Sequence, residues 1–176
     1  MYKHLLVPSD RSDLSIEAAR QAVLTAAAMG ARITFFHALH TPTVLNYISL
    51  ATPDIDTNPS LMTTEEIRER MEALAEAHLA SLRQLARESH VAVDSETVVS
   101  EHPYKVILEA AARHGCDLIF MASHGHRGLE ALLLGSETQK VLTHASLPVL
   151  VWRGGSTRTG QGQGAGRNGD ANVKTP

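Results

Sequence analysis

From residue 3 to about 152, short apolar or β-branched runs alternate with longer segments in which apolar residues recur every three or four positions. The short runs are Lys3 to Pro8, Arg32 to Leu39, Val91 to Val99, Asp117 to Ala122 and Leu147 to Trp152. Runs of this length, rich in apolar or β-branched residues, read as strands. Four helices are expected between them. In the first, Ile16, Ala19, Val23 and Ala26 share a face, and Gly30 marks the stop, because glycine enters the left-handed conformation that closes many helices. In the second, Ile67, Met71, Leu74, His78, Leu82 and Leu85 form one stripe, with Glu65, Glu66, Arg68, Glu69 and Arg70 largely off it. That is the pattern of an amphipathic surface helix, and it makes His78 a packed core or interface residue. The third carries Val106, Ile107, Ala110, Ala111 and His114 behind Pro103, whose missing N–H is harmless in a first turn. The fourth opens at Ser136-Glu137-Thr138-Gln139, a capping-box pattern. Strands alternating with helices predict an α/β domain, an open doubly wound five-stranded parallel sheet with helices on both faces.

Two segments break the alternation. Residues 40 to 63 contain Pro42, Pro53 and Pro59, and a connection of that length is expected to be a functional lid or mobile loop, with a short helix around Val44 to Leu50. After Arg153 the chain turns glycine-rich, with seven of its twelve glycines between Gly154 and Gly169 and no aromatic residue. Such a tail cannot bury enough surface to offset its ordering entropy. The expected organisation is therefore one domain over 1–153 and a disordered glycine-rich tail over 154–176.

Composition narrows the classes of function. A chain of 176 residues with 43% hydrophobic content supports one sizeable core. Its formal net charge of -3 supplies no broad basic field, so nucleic acid is not an expected partner. No segment approaches the roughly 18 apolar residues of a membrane span, and the run after Met1 is too short for a signal peptide. A cytoplasmic protein without membrane attachment is expected. Cys116 is the only cysteine, which excludes an internal disulfide and a cysteine-rich metal site and leaves the reading of a buried structural thiol.

In an open parallel sheet, ligands bind beyond the carboxyl ends of the strands where the strand order reverses. The loops after the first and fourth strands are the candidates. In Val7-Pro8-Ser9-Asp10-Arg11-Ser12, Asp10 either accepts hydrogen bonds from a ribose or base, or sits at a helix start and favours its dipole. The other candidate runs from Asp117 through Ser123-His124-Gly125-His126-Arg127-Gly128 to Leu134-Gly135-Ser136-Glu137. Its glycines allow close backbone approach, and a helix N-terminus at Ser136 offers a hydroxyl and N–H groups to an anion. The alternative is a glycine turn followed by an ordinary helix cap. Ten histidines are present, but none has metal-ligand spacing, and no metal site is expected. Neither a Gly-x-Ser-x-Gly elbow nor the Walker lysine occurs, so the chain is not expected to be an enzyme beyond slow incidental hydrolysis.

Taken in order, Val7-Pro8-Ser9-Asp10, Phe36-His37-Ala38, Ser123-His124-Gly125, Leu134-Gly135-Ser136 and Leu147-Pro148-Val149-Leu150-Val151 resemble the universal stress protein family, over residues 1 to about 153. The resemblance implies a Rossmann-like, adenine nucleotide alpha hydrolase-like fold with strand order 3-2-1-4-5, and a stress-response homodimer that binds ATP, with Mg2+ held by phosphate oxygens and water. It places Pro8, Ser9 and Asp10 against the adenosine and Ala38 against the adenine. Met121 and Ala122 take the end of strand four, His124, Gly125 and Gly128 the phosphate loop, and Gly135, Ser136 and Glu137 the phosphate-facing helix start. Arg127 lies outside the motif, either reaching a terminal phosphate or standing as a solvated loop residue. Nucleotide-binding members carry Gly-x2-Gly-x9-Gly-Ser/Thr, and here Ala122 replaces the first glycine. Its methyl costs little at negative φ and about 1–2 kcal/mol if a left-handed backbone is required. A family member acting through protein partners without nucleotide is the alternative. Pro148 to Trp152 reads as an edge strand, and pairing with the same strand of a second copy, or coverage by the chain's own tail, would protect it.

Overall fold

Period-two alternation along the strands decides which helices cover each face of the sheet. The computed structural model describes residues 1–41, 62–125 and 134–154. Its elements are β1 (His4–Pro8), α1 (Asp13–Met29), β2 (Arg32–Leu39), α2 (Thr64–Glu88), β3 (Val93–Val99), α3 (Pro103–Arg113), β4 (Leu118–Ala122), α4 (Ser136–His144) and β5 (Val149–Trp152). All strand pairs are parallel, in the order β3-β2-β1-β4-β5. Leu5, Val7, Ile33, Phe35, Leu118 and Phe120 point to one face and pack with α1 and α2. Leu6, Phe36, Ile119 and Met121 point to the other and pack with Ile107, Ala110 and Ala111 of α3 and Val141 of α4. This is the doubly wound arrangement expected from the alternation, with β1 at the centre and the order reversing between β1 and β4. The helix expected around Val44 to Leu50, most of the 40–63 connection and the glycine-rich tail past Gly154 lie outside the described residues. No described helix is long and apolar enough to cross a membrane.

Several local expectations shift by a residue or more. The buried face of α1 is Ser15, Ala18, Ala19, Ala22, Val23 and Ala26, with Ile16 half-buried. In α2 the buried positions are Ile67, Met71, Ala75, Leu79, Leu82 and Ala86, whereas Leu74, His78 and Leu85 are half-buried. Both helices turn their alanines to the sheet, because a small side chain lets the helix axis approach more closely than a leucine does. β3 starts at Val93 and not Val91: the Val91 N–H donates to Ala86 O at 2.9 Å, closing α2. β5 starts at Val149, after Pro148. The capping box lies on α2, where Thr63 Oγ1 accepts the Glu66 N–H at 3.2 Å and Glu66 Oε2 accepts the Thr63 N–H at 2.7 Å.

The start of the chain is fastened to the middle of the sheet by Asp117. Its Oδ1 and Oδ2 accept the Lys3 N–H at 3.1 and 2.9 Å, and Oδ1 accepts the His4 N–H at 3.0 Å. Burial pushes this carboxyl upward, but the backbone donors outweigh it and hold the group below its usual range. Next to it, burial pushes the half-buried Cys116 thiol up to about 11, which keeps it protonated and unreactive near neutral pH.

Candidate functional site

A cavity of about 720 Å³ opens at the carboxyl ends of β1, β2 and β4, where the strand order reverses. Its size falls within the range of about 300–1,000 Å³ common to small-ligand sites. One wall is the loop between β1 and α1. Ser9 is held there from three elements: its N–H donates to Phe36 O at 2.9 Å, its carbonyl accepts the His37 Nδ1–H at 2.7 Å, and its Oγ lies 3.0 Å from Ser15 Oγ and 2.9 Å from His78 Nε2. The next residue, Asp10, accepts the Ser12 hydroxyl at 2.6 Å and the Ser12 N–H at 3.1 Å. Ser12 is itself the N-cap of α1. Asp10 thus takes the helix-start position read from the sequence, and it also lines the cavity.

The His37 ring is 3% exposed and meets His78 edge-on at 6.1 Å. Burial pushes its imidazole below the usual range, and nearby Arg11 and His40 act in the same direction, against the Ser9 carbonyl and Asp10. The folded state therefore favours neutral His37, while the unfolded chain takes up a proton at about pH 6.5. Stability from this site is present above about pH 6.5 and is lost as pH falls through the lower folded-state value. The urea midpoint should drop between about pH 7 and pH 5, and His37→Gln should remove part of that slope, since a glutamine amide can still donate to Ser9 O. Only part is expected, because burial lowers His4 as well. An unchanged slope in the variant would overturn this role for His37.

The second wall joins the end of β4 to the start of α4. The N-cap of α4 is Gly135, with φ -61° and ψ 151°, so the helix begins one residue earlier than the sequence pattern indicates. A Cβ on Gly135 would lie 3.0 Å from His124 Cα and 3.2 Å from its Cβ, so a larger residue there would press on His124 although the φ is ordinary. The Ser136–Gln139 box is consequently not formed. Gln139 donates instead to Leu134 O at 3.1 Å, and Ser136 stands exposed at the first helical position, on the cavity. Thr138 Oγ1 donates to Ala122 O at 3.1 Å, tying α4 to β4. Ala122 pairs with Trp152 in the sheet and is absent from the residues of positive φ, so its methyl meets no left-handed strain. That methyl packs in the cluster beneath α1.

The third wall has no counterpart among the sequence-predicted residues. It comprises His40 beyond β2, Glu101, Pro103 and Ile107 around the start of α3, and Lys140 on α4. Glu137 Oε2 accepts the Tyr104 N–H at 2.9 Å and its Oε1 pairs with Lys140 Nζ at 2.6 Å, so this carboxylate joins the starts of two helices. Glu101 Oε1 accepts the Thr41 N–H at 3.1 Å, and the Thr41 hydroxyl together with this N–H holds that carboxyl below its usual range. The signal for this wall was Pro103 itself: it marks a helix start after β3, and in a parallel sheet every strand-to-helix turn meets at the same end. Of the predicted site residues, Pro8, Ser9, Asp10, Ala38, Met121, Ala122, His124, Gly125, Gly135, Ser136 and Glu137 all line the cavity. Arg127 and Gly128 lie outside the described residues. Among the described residues, no three His, Cys, Asp or Glu side chains converge as metal ligands.

A cavity at the switch point of a five-stranded parallel sheet, flanked by an oriented carboxylate and a helix start, places the chain among the open doubly wound α/β folds. Within that class, the model described as "Universal stress protein family" matches residues 1–153, and the chain belongs to this family. Universal stress protein MJ0531 of Methanocaldococcus jannaschii is 31% identical over 151 residues, covering 86% of this chain and 82% of its own length. The solved structure of MJ0577, from the same organism, superposes with TM-score 0.68 at 23% identity, covering 86% of this chain and 95% of that one. A universal stress protein solved in complex with cAMP superposes with TM-score 0.59 at 22% identity, covering 86% and 97%.

Proposed function

We propose that the chain binds an adenine nucleotide in the cavity between β1 and β4 and acts as a regulatory stress-response protein of the cytoplasm. The observation that carries this reading is the pairing, across one cavity, of Asp10 with the Gly135–Ser136 start of α4. A carboxylate suits the hydroxyls or amine of a nucleoside, and a helix start suits a phosphate. Ala122 places no backbone strain in the way, and the cAMP complex of a protein of the same fold supports the ligand class. ATP belongs to this reading as its Mg2+ complex, the metal held by phosphate oxygens and water. Efficient turnover is not part of this reading, because the chain carries no Walker lysine to stabilise a transferring phosphoryl group. Assembly as a dimer through residues 148–152 is part of the proposal: β5 is an edge strand, and its Leu150 is 37% exposed.

Calorimetric titration of nucleotide-stripped protein with AMP and with ATP plus Mg2+ tests the site. Micromolar binding, worth about 8 kcal/mol, is expected for the parent. Asp10→Ala and Gly135→Val should each weaken it at least about tenfold, the second by pushing the α4 start away from His124. No heat with the parent would transfer support to action through protein partners, and equal binding by both variants would refute the site.

A further inference from the structure

Among the described residues that line the cavity, none belongs to α2. That helix nevertheless reaches the loop between β1 and α1 through His78, and the donors available fix the direction of the hydrogen bonds it enters. Ser15 Oγ lies 2.9 Å from Ser12 O, and a carbonyl only accepts, so the Ser15 hydroxyl proton is committed there. The 3.0 Å contact between Ser9 Oγ and Ser15 Oγ must then carry the Ser9 proton. With that proton committed, Ser9 Oγ can only accept at its 2.9 Å contact with His78, so His78 donates from Nε2. One directed chain results, from His78 Nε2–H through Ser9 and Ser15 to the Ser12 carbonyl. His37 donates from Nδ1 to the carbonyl of the same Ser9, so the two rings, edge-on at 6.1 Å, offer opposite nitrogens to one residue. Ser12, where the chain ends, is the residue that orients Asp10: its hydroxyl and its N–H both donate to Asp10 Oδ1, at 2.6 and 3.1 Å. Ser9, Ser12 and Ser15 are all buried, and a donor lost from this chain leaves a buried oxygen short of a partner.

We propose that His78 is a positioning residue of the ligand site, fixing from α2, through Ser9 and Ser15, the Ser12 turn that orients Asp10 on the cavity. The inference rests on the adenine-nucleotide reading above and adds to it a helix that stands outside the cavity walls. A donor is required at the place of the His78 Nε2, because every other proton in the chain is committed further along it. The effect of that donor on a ligand passes through Asp10, the member of this loop whose carboxylate lines the cavity. A substitution at 78 that keeps a donor is therefore distinct from one that keeps only bulk.

The test pairs nitrogen-resolved NMR of the histidine rings in the full chain with calorimetric titration of AMP and of ATP plus Mg2+. At a pH where both rings are neutral, His78 should carry its proton on Nε2 and His37 on Nδ1. A neutral His78 protonated on Nδ1 instead would overturn the directed chain. His78→Leu fills the same half-buried place without a donor and should weaken nucleotide binding about three- to tenfold. His78→Gln, whose amide can donate from near the Nε2 position, should bring binding back to within about twofold of the parent. In an Asp10→Ala background, His78→Leu should do no further harm. If the parent binds and His78→Leu binds equally well, if the leucine and glutamine variants lose affinity equally, or if the losses of His78→Leu and Asp10→Ala add, the positioning role is overturned while the nucleotide reading stands. If the parent binds neither nucleotide, both are overturned.

Discussion

Replacing Gly125 by alanine is expected to weaken adenine-nucleotide binding by about 10- to 100-fold while lowering thermal stability less than a truncation in the core does. A Cβ at Gly125 would fall 1.9 Å from Asp10 Oδ2 and 3.0 Å from Asp10 Cγ, so the methyl occupies the space that the carboxylate fills. Gly125 is not among the glycines of positive φ, and alanine therefore meets no backbone strain. The clash falls on the end of a short side chain that can rotate away from Ser12, at the cost of the two hydrogen bonds that orient it. A displaced Asp10 is functionally a missing one. Lost hydrogen bonds to a charged group are worth about 1.5–3 kcal/mol, which sets the expected range. The decisive measurement is a double-mutant cycle: once Asp10→Ala is present, Gly125→Ala should do no further harm to binding. Additive losses would show that glycine is needed at 125 for contact with the ligand itself and not for the placement of Asp10.

Phe35→Ala should cost about 3–5 kcal/mol of folding stability, the largest effect expected of any single truncation in this sheet. Phe35 is fully buried in β2, paired with Val7 of β1 and Ser95 of β3, and packed in the cluster that α1 and α2 cover. The alanines of those helices that face the sheet, among them Ala19, Ala22 and Ala86, have no spare rotamers with which to fill the void. For a domain of this size the loss corresponds to a fall in Tm of roughly 6 to 20 °C. Urea and thermal unfolding measure it, and a change below about 1 kcal/mol would mean that α1 and α2 close on the sheet when the ring is gone. Set beside Gly125→Ala, it separates the two faces of the problem: one substitution should reduce stability, the other binding.

Much of this was readable from periodicity. Five apolar or β-branched runs located all five strands, and Arg32–Leu39 matched β2 at both ends, although only β1, β2 and β4 are largely buried. The walls built from β1 and β4 were legible because their residues are local to strand ends, where Asp10, Gly125 and Gly135 are chemically unusual neighbours of apolar runs. What escaped is what only tertiary contact decides. Glu101 and Lys140 lie about forty positions apart on different helices' starts, and nothing in either segment announces a shared cavity. His78 was legible as a packed residue, yet its hydrogen bond to Ser9 spans 69 positions and has no sequence signature. The Ser136 box was misplaced because Gly135 can approach the His124 backbone where a larger residue would press on it, and the helix starts from that contact.

The fastening of Lys3 and His4 to Asp117 carries a consequence for the birth of the chain. β1 is made before the other strands of this sheet and is the central one when the sheet is finished, yet the carboxylate that anchors its start follows Lys3 by 114 residues, and its neighbour β4 follows directly after that. Until then Leu5, Leu6 and Val7 have an open hydrogen-bonding edge, the state in which nascent chains aggregate or are held by chaperones. Completion of the sheet is therefore a late, long-range event, and a nascent chain stalled ahead of Asp117 would remain half-zipped at its centre however well β2, α2 and β3 had already assembled.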